Sequence, residues 1–277
     1  MGYYDGKVVI VTGGAKGIGS GITRGFAAVG ARVAALDIDE EAGQAIEAEG
    51  ADLAGEIAFY NADVAADEAC RSTVAQITDA WGTVDVLCNN VGIQPVPSYK
   101  LAHELPLEMW DRIIDVNLKS FFLMARHCLP HMMKQEKGVI INTASVQGLQ
   151  SAGMVSAYAA SKGGALSLTR QLALDYAKYG IRVLAVNPGG IQTPLVDEVI
   201  EAFGLEREQF LKHCRIHFVC PTTQPDSLRA PRGPRRENNN LIEFRIARYF
   251  ARRILIALRG RLKARQAIEL ELGPVGR

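Results

Sequence analysis

The chain has 277 residues, is 48% apolar and 22% charged, and carries a formal net charge of +1 at neutral pH. That balance suits a globular α/β domain and by itself points to no polyanionic partner. The N-terminus MGYYDGKVVIVTGG lacks a basic region followed by a long apolar run, and nowhere do eighteen apolar residues run together, so the sequence reads as neither a secretory precursor nor a membrane-spanning chain.

Six short β-branched runs set the frame: 7–12, 31–37, 56–63, 83–90, 138–145 and 181–190. Between them lie stretches of helical character. The first is 18–29, where Ile22 and Phe26 are spaced four apart; others lie at 40–49, 67–81, 108–134 and 157–179. Apolar strands alternating with helices predict a parallel sheet covered on both faces. The expected fold class is therefore α/β: a Rossmann-type, doubly wound, three-layer α/β/α sandwich with its site at the carboxyl ends of the strands. Five scattered cysteines (Cys70, Cys88, Cys128, Cys214 and Cys220) without a CxxC pair suit a reducing, cytoplasmic setting better than a disulfide framework.

The first strand runs into Thr12-Gly13-Gly14-Ala15-Lys16-Gly17-Ile18-Gly19. Glycines between a strand and a helix let the backbone turn tightly and approach a pyrophosphate, which the free N–H groups at the helix start then receive. The pattern GxxxxGK[ST] is absent, which argues against a triphosphate. Eighteen residues after Gly19, Asp37 ends the second strand. A carboxylate there can accept hydrogen bonds from both ribose hydroxyls and repels a 2′-phosphate, so it points to NAD rather than NADP. Lys16 pulls the other way, as a cation near the phosphates. Asp37 outweighs it, because no Arg or Lys follows Asp37 to hold the extra phosphate.

Tyr158 and Lys162, four apart in SAYAASKGGALSLTRQLALDYA, share a helix face. Ser145 ends the fifth strand, thirteen residues before Tyr158. Hydride transfer at a carbinol carbon needs a group that exchanges the hydroxyl proton. A phenol has a pKa of about 10 and is a poor base at neutral pH, and a neighbouring ammonium is expected to lower that value. The three residues then divide the work. Serine orients the substrate oxygen, tyrosine exchanges the proton, and lysine tunes the tyrosine and holds the ribose.

These pieces, together with Asp63, Asn89-Asn90-Val91-Gly92, Asn117 and Pro188-Gly189-Gly190-Ile191-Gln192-Thr193, stand in an order that resembles the short-chain dehydrogenase/reductase family over residues 5–195. The resemblance implies a nicotinamide-dependent enzyme acting on alcohols or ketones. It implies that Asn117 joins Ser145, Tyr158 and Lys162 in a tetrad and holds a water that relays protons from Lys162. It implies that the dinucleotide is held by Gly13, Lys16, Gly17, Ile18, Gly19, Asp37, Asp63, Val64, Asn90, Gly92, Tyr158, Lys162, Pro188, Ile191 and Thr193. Within that set Asp63 would meet the adenine, the Asn90 segment would lie along the adenosine ribose, and Ile191 and Thr193 would meet the nicotinamide amide. Gln94, Val146, Gln147 and Met154 would face substrate, and the two amides point weakly to a cyclic alcohol, sugar or polyol. A homodimer or homotetramer packed through 106–134 and 156–179 is also implied. Val91 departs slightly, where the family more often has alanine.

The resemblance ends where charge changes. Residues 229–277 hold 13 Lys+Arg against 4 Asp+Glu, leaving 18 against 26 in residues 1–228. Residues 1–212 read as the NAD-binding and catalytic domain, and 213–277 as an atypical basic tail. A mobile helix is expected to begin in 195–212. The family's later Gly-Arg loop and seventh strand are not recognisable, which predicts a sixth-strand edge left partly unpaired. Residues 221–240 read as coil. In the tail, Arg outnumbers Lys 12 to 1, as an out-of-frame reading of GC-rich DNA would produce. Alternatively, Ile242, Ile246, Phe250 and Leu258 form the apolar side of an appended basic helix that lies on a membrane or a partner. No nucleic-acid motif accompanies the charge. His213, Cys214, His217 and Cys220 crowd together by chance rather than as a metal site, so no metal is expected. The leading function is NAD-dependent hydride transfer to or from a secondary alcohol or ketone. The alternatives are an NADP-linked 3-oxoacyl reductase and an inert dinucleotide-binding protein.

Overall fold

The fold is seen in a computed structural model that describes residues 3–205 and 217–219. Six strands form where the β-branched runs predict them: β1 (Val8–Thr12), β2 (Arg32–Asp37), β3 (Glu56–Asn61), β4 (Val86–Asn89), β5 (Gly138–Thr143) and β6 (Ile181–Asn187). All are parallel to their neighbours, in the order β3-β2-β1-β4-β5-β6. Strand order reverses between β1 and β4, which opens a crevice at the carboxyl ends of the strands.

The β6 edge differs from expectation. A short strand, β7 (His217–Val219), pairs antiparallel with β6, setting Ala185 opposite Val219 and Asn187 opposite His217. A partly unpaired edge is expected from the sequence because no parallel seventh strand is recognisable. An antiparallel partner needs no crossover helix to reach its place. Three residues therefore cover an edge without carrying a family signature. The remaining tail expectations lie outside the described residues: the 206–212 part of the mobile helix, coil at 221–240, the basic helix from Ile242, and His213, Cys214 and Cys220.

Strand side chains alternate between faces, so each strand feeds two cores. Val8, Ile10, Leu36, Leu87 and Ile140 join one cluster, while Val9, Val11, Val33, Val86 and Ile141 join the other. Helices α1 (Gly17–Ala27) and α2 (Glu40–Glu49) cover the second cluster through Ile22, Phe26 and Ile46. The first is covered by α3 (Asp67–Trp81), α5 (Ser120–Lys134) and α6 (Ser156–Tyr176), through Val74, Ile77, Met124, Met132 and Leu172. The expected three layers are present. No helix among the described residues is long and apolar enough to cross a membrane.

The stretch expected as one amphipathic run at 108–134 is divided. Helix α4 (Leu107–Ile114) passes through a π-helical turn, Asp115–Lys119, into α5. A π turn widens the helix locally and shifts the register of the residues after it. Here the widened turn carries Asn117, which is fully buried. Helix α7 (Pro194–Phe203) starts with proline at its first position and the Thr193 side chain as cap, two ordinary helix-start features.

A chain of buried polar groups ties β4 and β5 to the helices above them. The Asn89 amide donates to Asn142 Oδ1 at 2.9 Å and to the Phe121 carbonyl at 3.3 Å. The Asn142 amide donates to Thr169 Oγ1 at 2.9 Å, and that hydroxyl donates to the Ala165 carbonyl at 2.7 Å. Removing a middle member leaves buried donors unpaired, which is worth about 1–3 kcal/mol per group. Asn142→Ala is expected to lower unfolding stability by about 2–4 kcal/mol. Asn89→Ala, at the end of the chain, should lower it less. Urea unfolding of both variants checks this order.

Candidate functional site

Two loops are stitched together at the β1–β4 reversal. The backbone N–H groups of Asn90 and Val91 donate to Thr12 Oγ1, at 3.0 and 3.1 Å. The Asn90 amide donates to the carbonyls of Thr12 and Gly13, both at 3.2 Å. The turn itself demands glycine. Gly13 has φ +60°, and a Cβ on Gly19 would sit 1.8 Å from the Gly13 carbonyl oxygen. Helix α1 begins there with no side-chain cap from Lys16 and no acid in its first turn. Its first N–H groups, at Gly17, Ile18 and Gly19, thus receive no side-chain cap from Lys16 and face no acid in that turn. A Cβ on Gly17 would lie 3.3 Å from Thr193 Cγ2, which places Thr193 on the opposite lip. Ile18 and Ile191 pack against the same apolar cluster. The Thr193 hydroxyl accepts from Val196 N at 3.4 Å, so it caps α7 while facing the turn.

At the far end of the crevice lies Asp37, the last residue of β2. Its carboxylate accepts from Ala15 N and Asp39 N, both at 3.2 Å. Asp63 stands exposed two residues past β3, its Oδ1 accepting from Ala65 N at 3.0 Å, while Val64 beside it is buried. The Lys16 ammonium does not stand alone. It donates to the carboxylate of Asp39, which also caps α2 by accepting from Ala42 N at 2.9 Å.

The four candidate catalytic residues converge from three elements: the π turn with Asn117, the loop after β5 with Ser145, and α6 with Tyr158 and Lys162. Ser145 lies two residues past β5 rather than on it, as the cap of a tight turn at Val146–Gly148, and is buried. Its hydroxyl lies close enough to the Tyr158 phenol to oppose the rise of that group's pKa. Lys162 is buried one helical turn along α6, where its ammonium donates to the Thr143 carbonyl at 2.9 Å and lies 5.6 Å from the centre of the Tyr158 ring. Burial pushes that ammonium from 10.5 down to about 8. Gly92 lies over it: a Cβ there would approach Nζ to 3.1 Å, so the position leaves the lysine uncovered toward the crevice.

Two expectations change. Burial pushes the Tyr158 phenol up, with Ser145 opposing, and Lys162 is not among the groups that lower it. The reason is geometric and electrostatic. The ammonium points to Thr143, lies over the ring face rather than at the hydroxyl, and is itself desolvated. Asn117 likewise commits its side chain to protein. Its Oδ1 accepts from Ile93 N at 2.7 Å, and its amide donates to the Ile93 carbonyl at 2.9 Å and to Ser161 Oγ at 3.3 Å. That side chain braces the loop carrying Gly92.

On the substrate side, Gln94 is buried and Val146 is half-buried, its N–H donating to the Pro188 carbonyl at 3.0 Å. Gln147 Oε1 accepts from Ala152 N at 2.7 Å, so half of that amide braces its own loop. Met154 is exposed and holds φ +60°. Sequence reasoning misses Tyr99. Burial, with the charge of Tyr158 nearby, pushes its phenol up to about 12, and its ring meets Phe203 of α7 edge-on at 5.3 Å. A parallel bridge between Lys100 and Val155 brings it there, and local periodicity carries no sign of such a bridge. Among the described residues no cluster of His, Cys, Asp or Glu could hold a metal ion.

Comparison with known proteins agrees with this geometry. The short chain dehydrogenase family model matches residues 7–203. L-fucose dehydrogenase of Bos taurus is 38% identical over 196 residues, covering 71% of this chain and 70% of that protein. The 2-(R)-hydroxypropyl-CoM dehydrogenase of Xanthobacter autotrophicus is 40% identical over 190 residues, covering 68% and 76%. Among solved structures, NAD+-bound xylitol dehydrogenase superposes with a TM-score of 0.66 at 33% identity, covering 69% of this chain and 72% of that one.

The buried lysine has a consequence for stability. Its folded value of about 8 lies below its ordinary 10.5, so between those pH values the unfolded chain binds the extra proton. Stability therefore rises with pH across that window, and below it the full penalty of the buried charge applies. Lys162→Met is expected to be more stable than the parent at pH 7, by on the order of 1–3 kcal/mol. That advantage shrinks as pH climbs from 8 toward 10.5. Denaturant unfolding of both proteins at neutral pH and near the top of that window checks the sign and the trend.

Proposed function

The chain belongs to the short-chain dehydrogenase family, and from that premise we propose that it moves a hydride between NAD and a secondary alcohol or its ketone. The observation that carries this reading is Ser145 set beside the Tyr158 phenol, above a buried, Thr143-anchored Lys162. When bound, the dinucleotide supplies the carbon that takes or gives the hydride. The protein's own part is proton handling and placement.

In this reading Ser145 holds the substrate oxygen beside the Tyr158 hydroxyl. Tyr158 takes the alcohol proton in oxidation and returns it in reduction. Burial favours the protonated phenol, the form that gives its proton in reduction; in oxidation that proton must first leave toward solvent, so that the phenolate can take the alcohol proton. A Lys162 ammonium that titrates at about 8 exchanges protons readily near neutral pH and reaches the crevice beside Gly92, where a ribose would lie. Asn117 holds Ile93, and through it Gly92, in position. Any relay water at Asn117 would rest on its backbone, since its side chain is committed.

Asp37 supports NAD over NADP, because a carboxylate in that place accepts from ribose hydroxyls and repels a 2′-phosphate. The glycine turn and the start of α1 suit the pyrophosphate. Buried Gln94 and the aromatic pair Tyr99–Phe203 support a cyclic alcohol or polyol, as do the sugar and polyol named for L-fucose and xylitol dehydrogenases. A second copy of the chain would seat on α5 and α6, where exposed Phe122 borders a groove lined by Leu129, Met133, Leu172 and Tyr176.

Three outcomes test the reading. NAD should raise the melting temperature of the full chain more than NADP at equal concentration, since a ligand at a hundredfold over its Kd adds about 2.7 kcal/mol. No shift with either dinucleotide removes the reading. Tyr158→Phe should lower kcat for a polyol substrate by about 10²–10⁴-fold while NAD still binds. Phe122→Glu should shift the elution of the protein toward the monomer.

A further inference from the structure

The turn after β3 is fastened from two sides. On the outer side, exposed Asp63 accepts the N–H of Ala65 with Oδ1 at 3.0 Å, and its own carbonyl accepts the N–H of Ala66 at 3.1 Å. On the inner side, the Cys70 thiol donates to the carbonyl of Val64 at 3.2 Å. That carbonyl and the Ala65 N–H belong to one planar peptide unit and point in opposite directions. A single peptide is thus gripped at both ends, by a fully buried thiol and by the Asp63 carboxylate. Burial, with Asp67 and Asp63 nearby, pushes the thiol up to about 12, so it keeps its proton and remains a donor. The helix that carries Cys70 is anchored in turn: Asp67, in the first turn of α3, hydrogen-bonds His127 of α5 at 2.8 Å.

Resting on the reading that the crevice takes NAD with its adenine against Asp63, we propose that Cys70 is a positioning residue for the adenine, acting through the Val64–Ala65 peptide. An ionised carboxylate accepts hydrogen bonds and offers none. Asp63 therefore suits the 6-amino group of adenine and opposes a carbonyl in its place. The direction of that carboxylate depends on the Ala65 N–H that it accepts, and the direction of the N–H depends on the plane of the peptide. The thiol holds that plane from behind. Without a donor there, the peptide is free to turn, the Ala65 N–H swings away, and Asp63 loses the bond that aims it. A thiol is a weak donor, so its effect is expected in how well the purine is discriminated and not in whether the chain folds.

The experiment is calorimetric titration of the full chain with NAD+ and with deamino-NAD+, whose hypoxanthine carries a carbonyl where adenine has its amino group. The parent should bind NAD+ more tightly, by about tenfold. Cys70→Ala removes the donor and should reduce that preference to about twofold. Cys70→Ser fills nearly the same space as alanine but restores a donor, so it should keep the preference. Each ratio is read within one variant, so a general weakening of the fold, which lowers both affinities alike, cancels. Cys70→Val removes the donor while filling the space, should match Cys70→Ala, and carries the test if the smaller side chain costs the fold. A preference that survives in the donorless variants overturns the inference. So does a preference that Cys70→Ser loses as fully as Cys70→Ala, which would mark packing and not hydrogen bonding. A parent that binds the two dinucleotides equally overturns the placing of adenine at Asp63, and the inference with it. A parent that binds neither overturns the NAD reading itself.

Discussion

The Lys162 ammonium is held beneath the crevice by the carbonyl of the last residue of β5, out of contact with bulk water. A charge in that position is expensive, and its neighbours are arranged around it. Gly92 lies against it, where a Cβ would come within 3.1 Å of Nζ. Asn117 must reach Ile93 to hold that loop, and it reaches because a π turn carries it inward between α4 and α5. Phe121 offers its ring face at 5.4 Å. The ends of β4 and β5, the α4–α5 junction and α6 are therefore positioned by one demand, the partial satisfaction of a buried cation.

Charge is graded along the crevice from that point. Near Lys162 and Tyr158 burial strips solvent from the charged forms, which pushes the lysine down and the tyrosine up. Both shifts favour the uncharged form of the group, so this end of the crevice resists charge until a ligand brings its own. At the middle, the start of α1 presents backbone N–H groups and a positive dipole end. At the far end Asp37, Asp39 and Glu41 gather around Lys16.

The strands and their order are legible because a parallel sheet buried on both faces writes its residues as unbroken apolar runs. Val8 to Val11 are all buried, and the sequence reads them so. The glycine turn, Asp37 and the Tyr158–Lys162 spacing are legible because each is local. Anything set by distant approach lies beyond reach. The π turn interrupts an amphipathic stretch whose apolar periodicity continues on both sides of it. Ser145 falls past its strand because β5 pairs with β6 only as far as Thr143. Lys16 and Asp39 are 23 positions apart, and their bridge exists only because β1 and β2 lie side by side. Tyr99 meets Tyr158 through one bridge between two loops.

The covered edge of β6 bears on the site as well as on the sheet. Pairing with β7 runs from Ala185 to Asn187, one residue short of Pro188. The carbonyl of Pro188 accepts the N–H of Val146, and Val146 is the neighbour of Ser145. The N–H of Ala144, on the other side of Ser145, donates to the Val186 carbonyl at 2.8 Å. Ser145 is thus suspended between two hydrogen bonds to β6 and the residue after it. Anything that holds the end of β6 straight also holds the Ser145 hydroxyl. The three residues of β7 pair with the rail from which Ser145 hangs. The edge strand and Ser145 are therefore coupled through backbone alone, a coupling that no choice of side chain in β7 is required to make.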